Sequence, residues 1–215
     1  MKLDVPRFTE RFGSVSLHGV QRVYELDSGH KNKHAKTESE VIRSIDDEII
    51  SAIESEMAIL IPIKGERLKL LEGVLSGIPH DCLTIIVSNS PREPIDRYKL
   101  EKQAFEQFNR FAEKKSVIIH QKDLGLAKAL EEVGYTDLFD SESKIRNGKG
   151  EGMFIGMLLS KMMGKKYVGF VDSDNYVPGA VNEYTKIFSS GIALSSTPYT
   201  MVRVSWIYKP KISES

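Results

Sequence analysis

Two acidic residues, Asp172 and Asp174, stand two positions apart immediately after the apolar run of residues 168–171. Residues two apart on an extended chain point to the same side, so these carboxylates can share one hard divalent cation such as Mg²⁺ or Mn²⁺. Such a cation typically bridges diphosphate oxygens and stabilises a leaving group. The pair suggests metal-assisted chemistry on a phosphorylated ligand, although the same spacing also occurs in turns and helix caps.

Several classes of protein place two aspartates in this way. A D-x-D pair after a strand is the arrangement of nucleotide-diphospho-sugar transferases. An EF-hand loop beginning at Asp172 is excluded, because its sixth position, which needs glycine, is Val177, and Pro178 follows. A haloacid-dehalogenase-type phosphatase normally has threonine or valine two residues after the pair, where this chain has Tyr176. The phosphatase stays open as the weaker alternative.

Polar clusters also follow the three earlier apolar runs of strand length. They are Lys64-Gly65-Glu66, Ser88-Asn89-Ser90 and His120-Gln121-Lys122-Asp123. Loops are polar in general, and that explanation suffices for any single cluster. Ligands of open α/β sheets, however, bind outside the carboxyl ends of the strands. Four clusters at four strand ends, the last of them acidic, therefore predict one shared site.

A glycine-rich stretch with a lysine, residues 146–152, precedes the predicted helix that carries Met153, Ile155 and Leu159. Small residues before a helix let backbone N–H groups approach a phosphate, and Lys149 would add a positive charge. The stretch lacks the G-x-x-x-x-G-K-[ST] pattern of a P-loop. A flexible surface loop is the alternative, and the glycines alone favour it. Phosphate binding is considered because the stretch lies between two predicted site strands.

The elements that must position these residues alternate between strand and helix. Unbroken apolar runs predict strands over residues 57–63, 83–87, 117–119 and 167–171, with residues 200–207 as a candidate fifth strand. Apolar residues at helical spacing separate them, and an amphipathic helix is predicted from residue 41 to residue 53. This alternation predicts an α/β fold with a mostly parallel sheet covered by helices on both faces.

The composition is that of an ordinary globular protein. The 215 residues include 30 Lys+Arg and 30 Asp+Glu, so the formal net charge is zero. A protein that neutralises many phosphates usually carries net positive charge, which argues against nucleic acid as the main partner. The length suggests one domain over residues 41–215, preceded by an N-terminal arm and polar loop over residues 1–40.

The single cysteine, Cys82, indicates a reducing and therefore cytoplasmic setting. The N terminus has no apolar h-region, which argues against a signal peptide. The longest apolar run, Met57–Ile63, is far shorter than the roughly 20 residues of a membrane span. The sequence therefore predicts a protein that is neither secreted nor bound to a membrane.

Five ordered segments carry a closer resemblance. They are Ile61-Pro62-Ile63-Lys64-Gly65-Glu66, Ile86-Val87-Ser88-Asn89-Ser90, His120-Gln121-Lys122-Asp123, Arg146-Asn147-Gly148-Lys149-Gly150-Glu151-Gly152-Met153 and the string from Val168-Gly169-Phe170 through Asp172-Ser173-Asp174-Asn175 to Glu183-Tyr184. Over about residues 59–211 the sequence resembles the mannosyl-3-phosphoglycerate synthases. This resemblance implies a GT-A-like fold and a retaining transfer of mannose from GDP-mannose to 3-phosphoglycerate, in the synthesis of the compatible solute mannosylglycerate.

The resemblance also implies roles for residues that match the family's motifs. Pro62, Lys64 and Glu66 would line the nucleotide pocket, with Ser88 beside the guanosine. The residues that would face the diphosphate and mannose are Gln121, Lys122 and Lys149.

A divalent metal is implied as well, with Mg²⁺ as the expected ion and Mn²⁺ or Co²⁺ as alternatives. Asp172 and Asp174 would hold the sugar and the metal, with Asp174 the more direct ligand. Arg203 matches the position expected to grip the acceptor, since an arginine fork suits a carboxylate or phosphate. The residues implied in catalysis are Asp172, Lys149 and Arg203. A homodimer is compatible with the resemblance.

Members of this family run well beyond residue 215. The additional portion would supply a histidine metal ligand and much of the acceptor pocket. A shortened chain that binds GDP-mannose without transferring mannose is therefore the main alternative to a transferase.

Overall fold

The computed structural model describes residues 45–175, 177–195, 197 and 199–204, together with the backbone of four N-terminal strands. These strands belong to a separate compact unit, residues 1–44. Within it, β1 (Leu3–Asp4) pairs with β4 (Val23–Tyr24), and β2 (Arg7–Phe12) pairs with β3 (Val15–Val20), both antiparallel. The predicted loop of residues 27–40 and its boundary at residue 40 lie outside the described residues.

The second unit, residues 45–215, is built on a parallel sheet. Its strands are β5 (Met57–Ile63), β6 (Leu83–Ser88), β7 (Ser116–His120) and β8 (Tyr167–Phe170), in the order β7-β6-β5-β8. The four predicted strands are confirmed. The candidate fifth strand is not found at residues 200–204, and residues 205–207 lie outside the described part of the chain.

Six helices accompany this sheet in the described residues. They are α1 (Asp47–Ser55), α2 (Leu68–Gly77), α3 (Arg97–Ala112), α4 (Leu124–Glu132), α5 (Lys149–Met162) and α6 (Pro178–Ala193). Helix α1 begins at Asp47, and the earlier part of the helix predicted from residue 41 falls mostly outside the described residues. Pro178 occupies the first turn of α6, where its missing N–H leaves no intrahelical bond unmade.

The central strand β5 is buried on both faces because helices cover the sheet from both sides. Met57, Ile59 and Ile61 pack into one core with residues of α2, α3 and α6. Ala58 and Leu60 point the other way, into a core with residues of α4 and α5. This alternation follows from the two-residue period of a strand. The prediction of an α/β fold with helices on both faces is confirmed, and the arrangement is consistent with a Rossmann-like GT-A fold.

The strand order creates a crevice between two particular strands. From β5 the chain moves outward through β6 to β7 and then returns to β8 on the other side of β5. The strand order therefore reverses between β5 and β8, and such a switch point is where open α/β sheets bind ligands. The topology places the polar residues that follow these strands around one opening.

Across the described part of the chain, each helix is too short or too polar to cross a lipid bilayer.

The free cysteine, Cys82, is buried in the core that also contains residues of α2. The side chain of Cys82 is 1% exposed. Burial, reinforced by the negative charge of Glu54, raises the pKa of its thiol to about 12. Because the thiolate is the nucleophile, we expect Cys82 to react with iodoacetamide at pH 8 at least about 100-fold more slowly in the folded protein than in urea. Mass spectrometry would measure this labelling, and complete modification of the native protein within minutes would contradict the burial.

Candidate functional site

A pocket of about 360 Å³ opens at the carboxyl ends of the parallel strands. Residues from the loops after all four strands, and from the start of α5, contribute to its wall. The lining consists of Pro62, Ile63, Lys64, Glu66, Val87, Asn89, Gln121, Gly148, Lys149, Gly152, Asp172, Ser173 and Asp174. Segments that are more than 100 residues apart in the chain thus meet at the switch point between β5 and β8.

Seven of the predicted site residues line this pocket and three do not. Those in the wall are Pro62, Lys64, Glu66, Gln121, Lys149, Asp172 and Asp174. The three outside it are Ser88, Lys122 and Arg203. The predicted segments therefore form most of the pocket wall, and Ser88 lies outside it because of its side-chain direction.

Ser88 illustrates this dependence on side-chain direction. Successive side chains of a strand point to opposite faces, so Val87 and Asn89 reach the pocket and Ser88 between them does not. The Ser88 side chain is fully buried, and its hydroxyl donates to Glu101 Oε2 at 2.7 Å. Asn89 belongs to the predicted polar cluster after β6 but was given no role of its own, although it follows β6 as Lys64 follows β5. Its place directly after the buried run, at the carboxyl end of the strand, is the signal that could have identified it.

The loop after β5 is a tight turn held by several hydrogen bonds. Gly65 adopts a φ of +75°, the left-handed region that only glycine enters at little cost. Its N–H donates to Ser90 Oγ at 2.7 Å, and the Lys64 N–H donates to Glu66 Oε2 at 2.6 Å. This geometry places Lys64 and Glu66 on either side of the turn and in the pocket wall.

The glycine-lysine stretch forms part of a helix, which differs from the prediction. Helix α5 begins at Lys149, so Gly150 and Gly152 lie in its first turn and do not precede it. Gly152 lies close to Gln121, because a Cβ there would come within 3.1 Å of Gln121 Oε1, a tight contact. The helix has Gly148 as its N-cap, without a capping side chain. The first N–H groups of α5 have no acceptor within the helix, and they lie beside the pocket wall.

Gln121 fixes the position of this helix start. Its side-chain amide group donates to the carbonyl oxygens of Arg146 and Gly148, at 2.7 and 3.1 Å. The residue is 1% exposed, although one side of it reaches the pocket. Gln121 therefore ties the end of β7 to the segment that leads into α5.

An ion pair crosses the pocket between α5 and the loop after β8. Lys149 Nζ donates to Asp172 Oδ1, and about half or more of each side chain is exposed, at 60% and 56%. Ion pairs with this exposure contribute little to stability, about 0–1 kcal/mol. This ion pair can therefore open at little cost. Lys149 is then available to bind an anion, and Asp172 is available to bind a cation.

Asp172 and Asp174 are the pocket residues whose carboxylates could hold a divalent cation such as Mg²⁺. Within the described residues, no group of three or more His, Cys, Asp or Glu side chains could hold a metal by itself. Mg²⁺ is commonly bound by one or two carboxylates, with water and substrate phosphates as its remaining ligands. Two hard oxygen donors in a pocket beside a helix N terminus match that pattern, provided that a phosphorylated ligand completes the coordination.

Lys122 and Arg203 lie outside the pocket wall. The backbone N–H of Lys122 donates to His120 Nδ1 at 3.1 Å. Arg203 is exposed, in a segment without regular secondary structure.

His120, at the end of β7, has a structural position. Its ring is 4% exposed, and its Nε2 lies 3.0 Å from the carbonyl oxygen of Ser90. Since its Nδ1 accepts from the Lys122 N–H, only the neutral ring with the proton on Nε2 satisfies both bonds. Burial is the main cause that lowers the pKa of His120 below the usual value of about 6.5.

This lowered pKa predicts a loss of stability in mild acid. Between the lowered folded pKa and about 6.5 the unfolded chain binds the proton more readily, so the free energy of unfolding falls as the pH falls through that interval. We expect His120→Asn to reduce this pH dependence, as measured by urea unfolding between pH 7.5 and 5. His80→Asn, at an exposed histidine, should keep the wild-type dependence. Equal pH dependence in all three proteins would contradict the assignment.

Comparisons with known proteins agree with one another. A family model described as mannosyl-3-phosphoglycerate synthase matches residues 5–215. A protein of that name from Pyrococcus furiosus is 47% identical over 214 residues, which cover 100% of this chain and 53% of that protein. Another of that name, from Aeropyrum pernix, is 34% identical over 215 residues, which cover 100% of this chain and 54% of that protein. The chain thus spans about half the length of these curated relatives.

Proposed function

This chain belongs to the mannosyl-3-phosphoglycerate synthase family, and from that membership we propose that its pocket binds GDP-mannose and takes part in a retaining transfer of mannose to 3-phosphoglycerate. The observation that carries the proposal is the grouping of Lys149, Asp172 and Asp174 in one pocket at the switch point of the sheet. A sugar nucleotide needs a cationic and metal-binding surface for its diphosphate, and these residues have that chemistry.

The diphosphate of the donor is assigned to the space beside the start of α5. Lys149 and the first N–H groups of that helix would hold its negative oxygens, with Lys64 on the opposite wall. The nucleoside would extend toward the ends of β5 and β6, where Pro62, Glu66 and Asn89 line the pocket.

Asp172 and Asp174 are the residues that would hold the divalent metal. A bound metal would supply positive charge to the diphosphate of the leaving GDP. Lys149 would add to that stabilisation once the diphosphate has replaced Asp172 as its partner. For retention, we propose attack by the acceptor hydroxyl on the same face of the sugar as the leaving phosphate, where these positive groups are concentrated.

Among the described residues, Arg203 is the one proposed to bind the acceptor. Arg203 has the planar fork that suits a carboxylate or phosphate, and it lies outside the pocket wall. Donor binding without transfer by this 215-residue chain is therefore the second candidate function. The phosphatase interpretation is not retained, because the family match includes the segment with Asp172 and Asp174.

Two measurements separate the candidates. Calorimetry with GDP-mannose, with and without Mg²⁺, tests donor binding, and release of GDP in the presence of 3-phosphoglycerate tests transfer. We expect metal-dependent binding of GDP-mannose. Binding followed by acceptor-dependent GDP release supports the transferase, and binding without release supports the binding module. Absence of metal-dependent binding would contradict both.

A further inference from the structure

A buried carboxylate is hydrogen-bonded to the end of β6 and the loop that follows it, from a helix that contributes no residue to the pocket wall. Glu101 is in α3 and is only 2% exposed. Its two oxygens accept hydrogen bonds from two buried serines, Ser90 Oγ at 2.6 Å and Ser88 Oγ at 2.7 Å. Burial of a carboxyl group is costly unless its hydrogen bonds are made, and each oxygen of Glu101 has a serine hydroxyl as its donor.

The hydrogen bonds form a chain in which each donor lies on the side of the turn after β5 and each acceptor on the side of Glu101. A carboxylate can only accept, so the hydroxyl proton of Ser90 is committed to Glu101 and the Ser90 oxygen is left to accept. It accepts the N–H of Gly65 at 2.7 Å. In the same way Ser88 Oγ accepts the N–H of Ser90 at 3.2 Å. Glu101 thus orients two hydroxyl groups, one of which holds the turn after β5.

A second residue of the same helix face contacts the other side of that turn. Arg97 stands four positions before Glu101, a spacing that puts both on one face of α3. One terminal nitrogen of Arg97 donates to the backbone carbonyl of Glu66 at 2.6 Å. Helix α3 therefore anchors the turn at two peptide groups, the amide of Gly65 through Ser90 and the carbonyl of Glu66 directly.

We propose that Arg97 and Glu101 are positioning residues that hold the Lys64-Gly65-Glu66 turn in the conformation that binds the nucleotide sugar. The turn needs such support because Gly65 is in the left-handed region. A glycine that nothing holds in place adopts negative φ values about as readily as positive ones. When the binding-competent conformation is only partly populated, the affinity falls by that fraction. This inference rests on the proposed function for its ligand, whereas the anchoring itself is independent of any ligand.

The anchoring is tested by hydrogen–deuterium exchange of the ligand-free protein. We expect Ser90→Ala, Glu101→Gln and Arg97→Gln each to speed exchange in peptides covering residues 64–66 by about tenfold or more. Another buried Glu–Ser pair outside the pocket wall provides controls. Glu54 is 1% exposed and accepts from Ser189 Oγ at 3.1 Å, and it also pairs with Lys186 Nζ at 2.8 Å. Glu54→Gln and Ser189→Ala should lower stability and leave exchange of the turn unchanged. Unchanged exchange in the three anchor variants would overturn the proposal.

The consequence for binding is tested by calorimetry with GDP-mannose and Mg²⁺. Ser90→Ala and Arg97→Gln should weaken binding by about tenfold, while the two control variants bind as the wild type does. Faster exchange with unchanged affinity would overturn the role in binding. If the wild-type protein itself does not bind GDP-mannose, the proposed function fails, and the exchange experiment alone then decides whether α3 anchors the turn.

Discussion

Replacement of Asp174 by asparagine is expected to weaken Mg²⁺-dependent binding of GDP-mannose by about 100-fold or more. Asp174 lines the pocket two residues after Asp172, and the metal would have only these two protein carboxylates among the described residues. The amide of asparagine has the same shape and lacks the negative charge, so the variant removes charge with little change in packing. Calorimetric titration with and without Mg²⁺ measures the effect.

The control for this variant is the same substitution at the opposite end of the sheet. Asp81 is an exposed aspartate just before β6 begins, remote from the pocket at the carboxyl ends of the strands. Asp81→Asn should bind GDP-mannose as the wild type does. If Asp174→Asn retains wild-type affinity in Mg²⁺, the carboxylate has no part in metal-assisted binding and the assignment of the metal site is wrong.

Replacement of Gly77 by alanine is expected to destabilise the protein by about 1–3 kcal/mol. Gly77 ends α2 where that helix meets the start of α6. A Cβ at this position would lie 2.4 Å from the carbonyl oxygen of Pro178 and 2.6 Å from Val181 Cβ. Because the closest atom belongs to the backbone, no side-chain rotation relieves the clash, and the two helices must separate. Urea unfolding would measure the lost stability.

A neighbouring glycine provides the control for the helix contact. Gly179 lies in the first turn of α6, and a Cβ there would meet no atom within 4 Å. Gly179→Ala should therefore be neutral or slightly stabilising, because alanine loses less conformational entropy in a helix. Equal stability of the two alanine variants would show that α2 and α6 do not approach each other this closely. The start of α6 follows the loop of Asp172 and Asp174, so Gly77→Ala should also weaken donor binding.

Much of the fold could be predicted because hydrophobic periodicity reports burial directly. The run Met57–Ile63 is unbroken since both faces of β5 are covered, and that signal distinguishes a central parallel strand from an edge strand. The candidate strand at residues 200–207 rested on a mixed pattern, and no strand is found at residues 200–204. A short stretch that mixes apolar and polar residues does not identify a strand in this way, because a strand, a helix or a loop can bury its few apolar side chains equally well.

The residues of the pocket were predictable where they directly follow a strand. Lys64 and Asp172 each stand at the end of a parallel strand, and all such ends face the same edge of the sheet. Ser88 ends β6 in the same way, but its side chain is turned toward α3, where its hydroxyl donates to Glu101. The predicted start of α5 was also wrong, since glycines usually disfavour a helix, whereas Gly150 and Gly152 lie in its first turn.

The sequence by itself determined the order of strands and helices, the parallel sheet and the family, because these depend on periodicity and on motifs that are continuous in the chain. Only the tertiary structure decided which polar side chains meet. The pairing of Lys149 with Asp172 joins residues 23 positions apart, and the link from Glu101 through Ser90 to Gly65 spans two loops and a helix. Such contacts depend on the order of the strands, on the direction in which each side chain points and on the packing of the helices. The local sequence around a single residue determines none of these.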